Sequence, residues 1–239
     1  MLTRTLLMLL LVAAVCLVAW PAMAQDENEE RTVNFAEGQW DAAQWTPLKL
    51  PMQAEMMTFI QRPHCLGNDA FTQEQIKAGL DNILLMTDTG TDEGQFDLVF
   101  RIGPEKGTAP GVFLSPVING DALEGGIAVF VADYTMAVWN VTTDAEGVTQ
   151  YEHLVRLARW QDQTAEHVLR ARWSNRRKMV ALQVDDSDVV ILRFPDLEIN
   201  SQVGIWGCHG TCDFYTMTIR EGGTLPWSGA PPAPQDGNE

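Results

Sequence analysis

Four tryptophans, Trp139, Trp160, Trp173 and Trp206, lie in stretches where apolar and polar residues alternate. An indole on an open strand face is a platform for a sugar ring, which stacks through its apolar side and hydrogen-bonds through its hydroxyl rim. In a β-rich chain a tryptophan is also ordinary core. Around Trp139, Met136 and Val138 take one side of a strand, while Ala137, Trp139 and Val141 take the other. Trp139 and Trp160 are the candidates for stacking, whereas Trp206, beside Cys208, suits packing over a disulfide. Asn140-Val141-Thr142 is also a glycosylation sequon, meaningful in a glycosylating host.

Glycoside cleavage asks for two carboxyl groups about 5 Å or 6.5–9.5 Å apart, one with a raised pKa. Asp97, Glu124 and Asp133 lie on or near strands that an open sheet face would use, and these are the acids to consider. Solvated strand acids are common, so their presence alone decides nothing. Asp185, Asp186 and Asp188 crowd one turn, where carboxylates and carbonyls together suit Ca2+. A charged turn without an ion is the plainer alternative. No Gly-x-Ser-x-Gly elbow occurs, and His64, His153, His167 and His209 are scattered.

Cysteine chemistry depends on where the chain goes. Arg4, an apolar run through residues 6–20 and Ala22-Met23-Ala24 have the form of a cleaved signal peptide over residues 1–24. The run is about 15 residues long, short of the roughly 20 that span a bilayer. These features predict a secreted or periplasmic protein with Cys65, Cys208 and Cys212 in an oxidising compartment. If His209-Gly210-Thr211 is a hairpin loop with Gly210 at positive φ, Cys208 and Cys212 face each other and form a disulfide. A pairing of Cys65 with either remains open. So does a zinc site drawn from His64, Cys65, Cys208, His209 and Cys212, although Cys-x3-Cys is not the usual knuckle spacing.

The 239 residues carry 16 Lys+Arg against 32 Asp+Glu, a formal charge of −16. Phosphate polymers and anionic membranes need clustered basic residues, so nucleic acid is excluded as a nonspecific partner. An uncharged glycan is not. At 46% hydrophobic with eight Trp, most of the chain has material for a core.

The elements needed to position these residues are mostly strands. Residues 96–102, 111–114, 126–132, 135–141, 151–160, 165–174, 178–184, 189–194, 203–207 and 213–219 read as strands, separated by polar turns such as Asn175-Arg176-Arg177 and Asp185-Asp186-Ser187. This spacing predicts an all-β antiparallel sandwich over residues 32–220 with one short helix near residues 72–80, capped by Thr72. Residues 25–31 read as a loose leader and residues 221–239 as a Pro/Gly-rich tail.

Three segments carry a family resemblance. "HVLRARWSNRRKMVALQVDDSDVVILRF" (167–194), "SQVGIWGCHGTCDFYTMTIR" (201–220) and "FDLVFRIG…APGVFLSP" (96–116) resemble the strand pairs of the concanavalin A-like lectin/glucanase jelly roll. The superfamily includes lectins, laminin-G-like modules, glycoside hydrolases and 3-keto-glycoside hydrolase-like exported domains. The Glu-x-Asp-x-x-Glu strand of its retaining glucanases has no counterpart here. The resemblance implies an exported, noncatalytic module that recognises a neutral glycan. The alternatives are a glycoside hydrolase with an Asp/Glu pair on the concave face, and an envelope structural or adaptor module attached through its tail.

Overall fold

Period-two alternation decides the architecture. Along Glu93–Ile102, Phe96, Leu98, Phe100 and Ile102 are buried, while Gln95, Asp97, Val99 and Arg101 turn to the other side. Each fully buried Phe or Leu contributes about 1.5–3 kcal/mol by leaving water, which fixes the register.

In the computed structural model, the described residues are 30–132, 135–157 and 165–222. The first strands are β1 (Glu30–Asn34), β2 (Trp45–Leu48), β3 (Ile60–Arg62), β4 (Cys65–Gly67) and β5 (Asn82–Asp88). The long central ones are β6 (Glu93–Ile102), β7 (Gly111–Asn119), β8 (Ala122–Ala132), β9 (Thr135–Thr143) and β10 (Thr149–Leu157). Then come β11 (Glu166–Ser174), β12 (Met179–Val184), β13 (Val190–Arg193), β14 (Gln202–Cys208) and β15 (Cys212–Glu221).

Two antiparallel sheets result. The first runs β13-β12-β11-β6-β15-β4-β3, with β1 also paired to β15, and the second runs β10-β9-β8-β7-β14-β5-β2. Between them lies the main core, with Phe96, Leu98 and Phe100 from one side and Val112, Val129, Val138 and Ile205 from the other. The sandwich and its antiparallel sheets are as the sequence predicts.

The predicted helix shrinks to one short turn, α1 (Gln73–Lys77). Thr72 accepts from the Gln75 N–H and Gln75 Oε1 accepts from the Thr72 N–H, a closed capping box. None of its residues is buried, and Gly79 at φ 70° ends it before Leu80. The leader and tail boundaries also move. Glu30 and Arg31 pair with Arg220 and Ile219, and Glu221 pairs with Gly94, so both lie in the first sheet. The signal segment lies outside the described residues, as does nearly all of the predicted tail.

The predicted hairpin across Cys208–Cys212 does not form. β14 joins the second sheet and β15 the first, so residues 209–211 cross between layers. Cys208 packs on the outward side of the second sheet with Trp206, while Cys212 packs in the core between the sheets. The two thiols therefore do not oppose each other on a ladder, and Cys65, Cys208 and Cys212 are all free. The positive φ of this crossing also falls on His209, at 63°, rather than on Gly210.

Candidate functional site

The second sheet has an outward face as apolar as a core. Pairing sets it: Trp139 stands opposite Ala128 and His153, and Ala137 opposite Phe130 and Arg156. Phe113 and Trp206 continue the face on the next strands, and Trp206 lies 4.3 Å from Phe130 and 5.5 Å from Phe113, ring centre to ring centre. Half of this surface is roofed. The tip of the β7–β8 hairpin reaches the end of β2, with the Lys49 N–H donating to Asp121 O and the Leu123 N–H to Lys49 O. Leu48, Leu50, Leu84, Phe113 and Leu123 are buried beneath it.

The other half is open, and Trp139 stands in it. Two hollows flank the indole. One, of about 400 Å³, is lined by Phe130, Ala137, Trp139, His153 and Arg156 among others. The second, of about 280 Å³, is lined by Gly107, Phe130, Trp139, Tyr151, Cys208 and His209 among others. The His153 ring packs 4.6 Å from the Trp139 ring. A bulge after His153 keeps Arg156 on the same side, where its Nε donates to Thr135 Oγ1 at 3.2 Å. Burial, with Cys208 and Asp81 nearby, pushes the Tyr151 phenol up to about 12, so it remains a neutral hydroxyl.

At the edge of this face, His209 Nε2 lies 3.2 Å from Asp81 Oδ2. Burial and then the Asp81 carboxylate push the Cys208 thiol well up. Burial likewise pushes the Cys212 thiol up to about 12.

The other predicted site residues are elsewhere. Asp97 is on the outward side of the first sheet, where Arg220 Nη1 donates to it at 3.0 Å. Glu124 sits in the β7–β8 hairpin and accepts from Asn119 Nδ2 at 2.7 Å. Asp97 and Glu124 thus belong to different sheets and form no pair with each other. Asp133 and Trp160 lie outside the described residues. Trp173 is core, its Nε1 donating to Thr91 O.

Of the calcium candidates, Asp185 has one oxygen 2.8 Å from His167 Nδ1 and the other accepting from the Val168 N–H at 2.8 Å. Both oxygens thus face protein groups, and no described interaction joins Asp186 or Asp188 to Asp185. The five-residue zinc set is split as well: the Cys65 thiol donates to Asp213 Oδ1 at 3.3 Å on the first sheet, away from Cys208.

Phe130, Tyr151, His153 and Arg156 were not singled out by sequence. The available signal was the turn Asp144-Ala145-Glu146-Gly147, which folds residues 149–157 back against the strand of Trp139. A third hollow, of about 520 Å³, opens beside β10 and β13 and carries two acids, Glu152 and Asp196.

No family model matches the chain, and none of the curated proteins matches its sequence. Its fold does match solved structures. SCLam, a non-specific endo-β-1,3(4)-glucanase from family GH16, gives a TM-score of 0.56 at 11% identity, covering 84% of this chain and 94% of that one. The Emp47p carbohydrate recognition domain gives 0.54 at 9% identity, covering 84% and 100%. The carbohydrate binding module CBM66 from Bacillus subtilis gives 0.50 at 12% identity, covering 74% and 96%. These share the concanavalin A-like jelly roll, and that is the fold of this chain. At such identities the likeness is one of fold. Among the described residues, no helix is long and apolar enough to cross a membrane.

Proposed function

We propose that this protein is an exported, noncatalytic module that binds a neutral glycan, seating a sugar ring on Trp139. The observation that carries this reading is the partly buried Trp139, set between two hollows on a largely apolar face. Stacking on the indole supplies contact area, while Arg156, Tyr151, His153 and His209 supply hydrogen-bonding groups around it. The formal charge of −16 favours an uncharged ligand over a polyanion.

The test is a broad oligosaccharide and polysaccharide array with the secreted protein. A specific hit that Trp139→Ala weakens about tenfold or more, equivalent to about 1.4 kcal/mol, supports the assignment. A hit that Trp139→Ala leaves unchanged moves binding to another face. A blank array with folded protein overturns the glycan reading and favours the adaptor module.

The hydrolase reading rests on a different place, the hollow holding Glu152 and Asp196. Release of sugar from a bound polymer, abolished by Glu152→Gln, would establish it.

A further inference from the structure

The crossing between the sheets brings together three side chains, Asp81, Cys208 and His209, at the edge of the hollow beside Trp139. We propose that Asp81, Cys208 and His209 form a site for one zinc-class divalent metal ion, with its open coordination position facing the hollow beside Trp139.

Geometry argues for this first. One ligand atom from each of the three residues lies within 4.8 Å of the other two, with His209 Nε2 already 3.2 Å from Asp81 Oδ2. Tetrahedral zinc with bonds of about 2.0 Å to N and O and 2.3 Å to S needs ligand–ligand separations of about 3.3–3.6 Å. Closing to that geometry takes movement of about 1 Å, within reach of His209, whose side chain is the most exposed of the three.

The scaffold holds the ligands from two adjoining strand ends. Cys208 is paired with Asn82 across β14 and β5, Asn82 Nδ2 donates to Asp81 Oδ1 at 3.0 Å, and the His209 N–H donates to Asp81 O at 3.1 Å. Orienting a ligating carboxylate by a second hydrogen bond is the usual support around a metal.

The backbone of His209 is held at φ 63°, unfavourable for a residue with a Cβ, and this conformation turns the imidazole over Asp81. Gly210 follows because a Cβ there would run into the Thr108 hydroxyl.

Charge and ligand type agree. One thiolate, one imidazole and one carboxylate form a borderline-soft set that suits zinc rather than calcium or magnesium. The buried thiol next to a carboxylate is poorly matched as the molecule stands; a dication bound by one thiolate and one carboxylate is electrically neutral, with a proton released from Cys208 on binding. Three protein ligands leave the fourth position open, and the hollow with Tyr151, Phe130 and Trp139 lies beside it.

Metal uptake is read without any sugar, so its failure is separate from failure of the glycan reading. Metal-free full-length protein is titrated with Zn2+ and, as a spectroscopic probe, Co2+. One equivalent should bind, and Co2+ should give a thiolate-to-metal charge-transfer band. Cys208→Ser should remove the band, and His209→Asn, which still tolerates a left-handed backbone, should weaken binding at least tenfold. Cys65→Ser should change neither. A band that survives Cys208→Ser, absence of stoichiometric binding, or a Cys208–Cys212 disulfide in the protein as isolated would each overturn the assignment.

Discussion

The two sheets solve the same problem on their outward sides by opposite means. On the first sheet, β6 and β15 send out Asp97, Arg101, Asp213 and Arg220, which close on one another and on Arg62, Asp69 and Glu30. Asp213 is the hub, with Arg62 Nη1 at 2.9 Å and Arg101 Nη2 at 2.8 Å on its two oxygens. On the second sheet, the equivalent side carries Phe113, Ala128, Trp139 and Trp206, and a folded-over hairpin hides half of them. A charged face satisfies much of itself laterally, through ion pairs between neighbouring strands. An apolar face must be covered, and the stretch left open around Trp139 is the one we propose for the sugar.

The comparison breaks most severely if the roofed half is not a true core. Phe113→Ala is expected to cost about 3–5 kcal/mol in urea unfolding, as for a buried aromatic between well-packed neighbours. A cost below about 1 kcal/mol would mean that the hairpin roof is loose. Next in size is Asp213→Ala, expected to cost about 2–4 kcal/mol because two guanidinium groups lose their shared partner, the outer one being half exposed. Near-neutral unfolding for this variant would show that the charged face is decoration.

Trp139→Ala sharpens the contrast from the other direction. It should cost about 1–2 kcal/mol of stability, less than Phe113→Ala because the indole is only partly buried, while removing about tenfold or more of sugar affinity.

The smallest effect is on acid stability. Burial works against the Asp185 charge, yet the His167 contact and the Val168 N–H outweigh it and hold this carboxyl below its ordinary range. A depressed carboxylate contributes stability that is complete above its unfolded pKa of about 3.9 and is lost as pH falls through the lower folded value. Unfolding midpoints should fall below about pH 4, and Asp185→Asn should flatten part of that decline.

Where one side of a strand is buried, the alternation was legible. β6, β9, β11 and β12, the turns at Asn175 and Asp185, and the Thr72 cap follow directly from residue order. The first five strands did not: four are three to five residues long, too short to show a period, and β5 is buried on both faces and so shows no alternation. The crossing after Cys208 was misread for a different reason: a short gap between two strands fits a hairpin and an arch between layers equally well. Pairing partners decide between them, and β5, β7 and β6 come from far away in the chain. Trp139 was legible as outward-facing, but His153 and Tyr151 reach it only through register, and Asp81 meets His209 only through the β5–β14 ladder.

β1 lies against β15, and the Thr32 and Thr218 hydroxyls that touch across this pair are 186 positions apart. The first sheet therefore cannot close while the chain is still being synthesised; its opening strand must wait, edge exposed, for the closing one. Contacts of such long sequence separation make folding slow.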